Sequence, residues 1–277
     1  MKENNNIDHK VVSDFGKEWK AFHHKGMDDS KLYSAFDSYF HIFPINELKD
    51  SEGFDMGCGS GRWAKFVAPN VKKLNCIDPS QNALNQAMQN LDTYENCTME
   101  CAGVDNNSLR NESQDFGYCL GVLHHIPDTE LALKSCAKKL KKGAPFLLYL
   151  YYRFDNKPQH YIALFHLSNF LRSLICRLPF FLKYPISQLL ALMIYLPLAK
   201  LALVFEKLGI NVSNFPLSWY RNEPFYIMRT DSHDKFATRL EQRFTKNEII
   251  IMMTNAGFSD LTFSDRVPYW TVMGYKK

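Results

Sequence analysis

Asp55-Met56-Gly57-Cys58-Gly59-Ser60-Gly61 (DMGCGSG, 55–61) follows a short apolar stretch and opens a helical one. Glycines permit tight turning and a close approach of backbone to ligand. A dinucleotide-binding turn carries G-x-G-x-x-G. Counted from Gly57, the third glycine of that pattern would fall at 62, which is Arg62. The chain has G-x-G-x-G instead, with an acid two residues ahead of the first glycine. An acid there repels phosphate and attracts an ammonium group or receives hydrogen bonds. The loop therefore argues against a pyrophosphate cradle.

Outward from this loop, short apolar runs alternate with helical patterns. Gly53–Gly57, Leu74–Ile77, Cys97–Ala102, Phe116–Leu123 and Pro145–Tyr152 read as strands. Arg62–Ala68, Ala83–Leu91 and Glu130–Leu140 read as helices, the last ending at the glycine of LKKGAP. Strands alternating with helices predict an α/β fold with a doubly wound, mainly parallel sheet. Ligands of such sheets bind beyond the carboxyl ends of the strands. Asp78 ends the second strand in CIDPS and suits two ribose hydroxyls. Asp105 follows the third strand in AGVDNN and suits an exocyclic amine such as that of adenine. The three acids together ask for a ligand with a cationic amino acid end, a ribose and a base.

The ordered set DMGCGSG (55–61), IDPS (77–80), Asp105, DFGYCLGVLHHIPD (115–128), LKKGAPFLLYLYY (140–152) and AGFSDLTFS (256–264) resembles the class I S-adenosylmethionine (SAM)-dependent methyltransferases of bacterial small-molecule type. The resemblance covers about half of the chain, 51–152 and 240–277. It implies a seven-stranded sheet, with a helical lid inserted between strand 5 and the closing hairpin, and SAM as methyl donor, leaving S-adenosylhomocysteine. It implies that Asp55, Gly57, Cys58, Gly59 and Gly61 hold the methionine portion. Asp78 with Pro79 would take the ribose, Val104 and Asp105 would face the adenine, and Gly121 and Leu123 would line the site. FGKEWKAF (15–22) resembles the family's N-terminal cap, with Phe15 and Trp19 over the cofactor. Two departures are Phe116-Gly117-Tyr118, where many relatives have F-D-x-V, and KKGAP in place of K-P-G-G.

Methyl transfer needs donor and acceptor held in line, and an alcohol or amine acceptor needs a base. His124 and His125 close the fourth strand and are base candidates, with packing as the other reading. Tyr151 and Tyr152 end the fifth strand on opposite faces; Tyr151 is a catalytic candidate and Tyr152 an acceptor contact. The segment 211–243 sets polar residues among aromatics. Tyr220, Arg221, Tyr226 and Arg229 suit an anionic or sugar-like acceptor, or else a salt-bridged surface tying the insert to the sheet.

Four parts follow: a cap at 1–50, a SAM-binding core at 51–152, an apolar helical insert at 153–230, and a helix with a closing hairpin at 231–277. In the insert, helices are expected at 158–177 and 185–208, punctuated at Leu178-Pro179 and Tyr184-Pro185. Its uncharged run YPISQLLALMIYLPLA (184–199) is 16 residues long, short of the roughly 20 that span a bilayer. Lys183 and Lys200 bracket it, so a buried or interfacial helix is expected rather than a transmembrane one. A lid this apolar suits a hydrophobic or lipid-linked acceptor, a peripheral membrane contact or a homodimer interface.

The net charge of +4 from 33 Lys and Arg against 29 Asp and Glu argues against a nucleic-acid partner. The absence of an N/D-P-P-[YF] tetrapeptide argues against amino-group methylation of bases or glutamine. Seven cysteines without a C-x-x-C pair argue against a disulfide framework or a zinc site, and no metal is expected. The polar start without an apolar segment fits a cytoplasmic protein. The expected function is methyl transfer to a small-molecule acceptor, an oxygen of a sugar or natural-product intermediate. The alternatives are a lipid or quinone acceptor, or a non-catalytic SAM-fold module acting through a partner.

Overall fold

The computed structural model describes residues 6–13, 16 and 29–277. They form two compact units, residues 1–153 with 240–277, and Phe154–Arg239.

In the first unit, β1 (Glu52–Met56), β2 (Lys73–Asp78), β3 (Cys97–Cys101), β4 (Phe116–Leu120), β5 (Pro145–Tyr149), β6 (Phe258–Phe263) and β7 (Thr271–Lys276) make one sheet in the order β3-β2-β1-β4-β5-β7-β6. The first five are mutually parallel, and β7 inserts antiparallel between β5 and β6. This is the doubly wound sheet the alternating pattern predicts. The strand order reverses between β1 and β4, and in such sheets that crevice is the ligand site. The helices are α1 (Asp29–Phe40), α2 (Ala64–Val67), α3 (Gln81–Asn90), α4 (Thr129–Lys139) and, after the second unit, α9 (Lys246–Asn255). Local chemistry sets their starts. Ser80 and Asp128 accept the amides of Ala83 and Leu131, and Thr245 and Glu248 form a reciprocal capping box.

Both faces of the central strands β1, β4 and β5 are covered, so nearly every residue there is buried and side chains alternate between two cores. Phe54, Met56, Cys119, Phe146 and Leu148 enter one, and Phe116, Tyr118, Leu120 and Leu147 the other. At the β1–β4 pair the two cores interlock by size. Gly53 lies opposite Phe116 and Phe54 opposite Gly117, so each phenyl ring lies over the other strand's glycine. A Cβ on Gly117 would stand 2.4 Å from the Phe54 ring.

Two strands stop earlier than the apolar runs. β4 ends at Leu120 because Gly121 takes φ +78°, after which Leu123–His125 form a 3-10 turn. β5 ends at Tyr149, and Tyr152 makes an isolated bridge to Phe244.

The second unit holds α5 (Gln159–Ile175), α6 (Phe180–Leu190), a π turn (Ala191–Tyr195), α7 (Leu196–Lys207), a 3-10 turn (Ser218–Asn222) and α8 (Phe225–Ala237). Two expectations are corrected. The helix expected from 185 starts at Phe180, with Pro179 as its N-cap and Pro185 inside it. Proline's φ is helical, and near the N-terminus it forfeits only one hydrogen bond. α6, the π turn and α7 then run on as one helix, Phe180–Lys207. The boundary expected at 230 falls within α8, and the unit closes at Arg239. α8 has no continuous apolar stripe, so the sequence pattern does not show it crossing that boundary. Its polar residues face inward: Ser232 and His233 are buried.

Gly117→Ala is expected to cost about 1–3 kcal/mol of stability through overpacking against Phe54. Urea unfolding measures it; an unchanged midpoint would show that the two strands do not interlock as described.

Candidate active site

The glycine loop is built by hydrogen bonds to the end of β2. Gly57 and Cys58 donate their amides to the Ile77 carbonyl (2.7 and 3.0 Å), and Gly61 donates to Cys58 (2.9 Å). Gly59 donates to Asp78 Oδ2 at 2.9 Å. With these amides engaged, the loop offers no nest of N–H groups to a phosphate. Gly57 sits at φ +79°, and a Cβ there would stand 2.4 Å from Val122. The turn therefore has to be glycine on two counts, backbone and space.

Asp78 has a structural task the motif did not announce. Besides Gly59, it accepts the Ser80 amide on Oδ1 (2.8 Å). Burial pushes its carboxyl up to about 6 against the pull of these two amides. A carboxylate has about four acceptor positions, so two remain for hydroxyl donors. Asp55 is more extreme. It is 2% exposed, and Oδ2 has no hydrogen-bond partner. Burial drives its carboxyl up to about 8; the neighbouring Tyr118 hydroxyl pulls down, and the Asp78 charge adds to the rise. The Tyr118 hydroxyl is close enough to act on Asp55, yet neither atom closes a bond of good geometry, and both are left unpaired. An unpaired buried acid is costly. That makes Asp55 the candidate partner for a cation.

The rest of the expected cofactor set divides. Cys58 is buried in the core; hydrogen bonding with Cys76 pulls its thiol down, but burial raises it to about 11, so it stays protonated. Pro79 accepts from Cys101 Sγ through its carbonyl. Gly121 faces open space, with nothing within 4 Å of a Cβ placed on it. Leu123, expected to line the site, is instead buried in the core with Phe54 and Met56. Val104 is buried in the same core and Asp105 is exposed. Their loop is shaped by Asn106, which accepts the Gly103 amide (2.7 Å), and by Asn107, which donates to the Val104 carbonyl (2.7 Å). Asn107 Oδ1 is buried and unpaired, as is Ser60 Oγ. Neither was singled out by motif. Trp19, Phe15 and most of 15–22 lie outside the described residues. Gly16 stands near Ser80 and Asn82, beside the Asp78 turn. The residues present fit SAM: an orphaned acid for its ammonium, acceptor positions for its ribose hydroxyls, and open space at the end of β4.

Beyond β4 and β5 lies a second group. His124 stacks on Tyr151 (ring centroids 3.8 Å apart), and His125 meets Tyr151 edge-on. His124 is wholly buried, and burial lowers its basicity well below the usual histidine value. Its Nδ1 accepts the Tyr151 amide (3.4 Å), so Nε2 carries the proton and is an unpaired donor. That tautomer corrects the expectation of a base at His124. His125 is the opposite: Nδ1 donates to the Leu240 carbonyl (2.7 Å), which leaves the lone pair at Nε2. Residues 240–244 close this group. Gln242 donates to the His124 carbonyl through its backbone and to the Ile126 carbonyl through its side chain. Arg243 lies over the Tyr151 ring at 5.0 Å and bonds Glu241 at 2.7 Å, both side chains largely buried. Burial opposes its charge, but Glu241 outweighs it and holds the guanidinium firmly protonated. The spacing of LEQRF gave no hint that Arg243 would reach the ends of β4 and β5.

Tyr152, expected as an acceptor contact, packs edge-on to Tyr269 and Trp270. The remaining acceptor candidates belong to the second unit and have partners inside it. Tyr220 donates to Asp231 (2.9 Å), Arg221 bonds Glu206 (2.8 Å), and Arg229 reaches Gln188 and Tyr184. Tyr226 is half-buried in α8. These contacts follow the salt-bridged reading, although within the insert rather than to the sheet.

The sheet order and the glycine turn are those of the class I SAM-dependent methyltransferase fold. The comparisons agree: residues 54–148 match the family model of a methyltransferase domain. A tRNA U34 carboxymethyltransferase of Aliarcobacter butzleri is 33% identical over 112 residues, 40% of this chain and 37% of that protein. A ubiquinone biosynthesis O-methyltransferase of Coxiella burnetii is 26% identical over 99 residues, 35% of this chain and 42% of that protein. The chain thus spans less than half the length of these relatives. A Bacillus halodurans structure, provisionally described as a methyltransferase, matches at a TM-score of 0.50 and 16% identity over 86% of this chain and 71% of that one, a likeness of fold.

Asp55 titrates near 4 when unfolded and at about 8 when folded. The folded state therefore holds the extra proton between those values, and the contribution of Asp55 to stability falls as pH rises through that window. Asp55→Asn is expected to remove this loss, so the variant gains on the parent from pH 5 to pH 8. Urea midpoints at constant ionic strength measure it; parallel pH curves for the two proteins would contradict the assignment.

Proposed function

We propose that the chain transfers the methyl group of SAM to an oxygen of a small-molecule acceptor. The observation that carries this reading is the unpaired, buried Asp55 carboxyl beside a loop that Asp78 holds in shape. When bound, SAM supplies an electrophilic methyl on a sulfonium. Asp55 would hold its ammonium and Asp78 its ribose hydroxyls, and the 103–107 loop would border the base through Asp105 and Asn107.

On the acceptor side, His125 accepts the proton of the attacking hydroxyl at Nε2 while the Leu240 carbonyl fixes its tautomer. His124, wholly buried behind it, backs the wall that Tyr151 forms by stacking on its ring. Arg243, kept charged by Glu241, favours an acceptor whose oxygen gains negative charge as the proton leaves. A sugar or natural-product hydroxyl meets these demands. A lipid-borne hydroxyl or phenol is the second reading, favoured by the outward apolar side chains of the second unit and by the name of the ubiquinone O-methyltransferase relative.

The test is titration calorimetry with SAM, followed by transfer of labelled methyl into metabolite extracts. Asp78→Ala should lose SAM binding together with the loop geometry. Unchanged binding in that variant, with no labelled product from the parent chain, would overturn the proposal. His125→Asn is expected to lower turnover by roughly 10²–10⁴-fold while SAM affinity holds. A matching loss of affinity would reassign His125 to structure.

A further inference from the structure

The helix Phe180–Lys207 is 28 residues long, about 42 Å at 1.5 Å per residue, and its amphipathy is inverted. The residues it buries at helical spacing are Lys183, Ser187, Ala191, Tyr195, Ala199 and Ala202, with no large aliphatic side chain among them. Lys183 donates to the Ala237 carbonyl (3.2 Å), Ser187 pairs with His233 (2.9 Å), and Ser232 donates to the Ser187 carbonyl (2.8 Å). The opposite side presents Phe181, Leu182, Leu189, Met193, Leu201 and Val204 to the outside, with Phe181 72% and Met193 65% exposed. Only 22% of the most apolar stretch is buried. α5 has no fully buried residue and likewise turns apolar side chains outward, with Leu167 and Phe170 both more than half exposed. Helices of water-soluble domains put the apolar stripe inward. Polar and small residues between helices with apolar ones outside is the arrangement of proteins that meet lipid.

Charge says what covers this face. Residues 154–239 hold ten Lys and Arg against five Asp and Glu, +5 in a chain of +4, so the remainder of the chain is −1. Arg177 lies just before the helix and Lys207 at its end, and Lys200 stands exposed beside Leu201. A second copy would bring like charge against like. An anionic lipid surface complements both the charge and the apolar face. Lys200 on the outward side suits a helix lying in the headgroup boundary, where the ammonium reaches water along its stem, and does not suit one crossing hydrocarbon.

We propose that residues 154–239 dock the chain on an anionic lipid surface, with the outward face of Phe180–Lys207 in the headgroup boundary and Arg177, Lys200 and Lys207 against lipid phosphates. The inference stands whether or not methyl transfer is the activity. The test is co-sedimentation of the full chain with vesicles of phosphatidylcholine alone or mixed with phosphatidylglycerol. Binding to the mixed vesicles is expected, weakening as salt rises. Arg177→Glu with Lys207→Glu should lower the partition coefficient roughly tenfold or more. Phe181→Ser with Leu189→Gln and Met193→Gln should lower it roughly 100-fold. Leu131→Gln, an exposed apolar position of the first unit, should leave it unchanged, and SAM binding in every variant reports an intact first unit. Three results would overturn the proposal: no binding, equal binding to both vesicle types with unaltered variants, or self-association abolished by the apolar variants without vesicle binding.

Discussion

Asp55 and Asp78 are buried at the carboxyl ends of adjacent parallel strands, β1 and β2, beside the point where the strand order turns. Everything at this end of the sheet depends on how those two acids are accommodated. Asp78 is accommodated by the protein itself: the Gly59 and Ser80 amides point at it, which bends the glycine loop and ties β1 to β2. Asp55 is not, because the amides that might have served it are directed at the Ile77 carbonyl. One acid shapes the loop, and the other keeps an unpaired oxygen that the proposed function assigns to a cation. This division of labour follows from G-x-G-x-G, whose short spacing wraps the loop around the end of β2.

The acceptor side follows a comparable logic with neutral groups. Two adjacent histidines in one 3-10 turn have opposite tautomers because different backbone groups meet their Nδ1 atoms: an amide donor at His124 and a carbonyl acceptor at His125. Adjacent residues of one type thereby become a donor and an acceptor. Residues 240–244 supply the carbonyl that fixes one tautomer, and also Arg243. The return of the chain from the second unit is thus part of the proposed chemistry as well as of the fold.

Much of this was legible in the residues. The period of apolar runs carries the sheet, and local spacing brings the glycine turn, Asp55 and Asp78 together at its carboxyl end. What was not legible depends on contacts distant in sequence. Nothing in HH says which nitrogen holds a proton, because Leu240 decides it from 115 positions away. Leu123 looked like a lining residue because it follows β4, but the turn after Gly121 sends it into the core. Tyr220, Arg221 and Arg229 looked like ligand contacts because arginine and tyrosine bind anions and sugars; Asp231, Glu206 and Gln188 take them first. The uncharged run from Tyr184 to Ala199 reveals apolarity but not which side faces out. That became visible only when Lys183 and Ser187 were found on the packed side.

On the proposed reading Asp55, its carboxyl pushed up to about 8 by burial, carries a proton at neutral pH and becomes a carboxylate when the ammonium of SAM arrives. Titration calorimetry of SAM at pH 6.5–7 in two buffers of different ionisation enthalpy tests it directly. Binding is expected to release close to one proton, so that the apparent enthalpy changes with buffer, and Asp55→Asn is expected to abolish the release and weaken binding. A buffer-independent enthalpy, with parent-like affinity in Asp55→Asn, would contradict it.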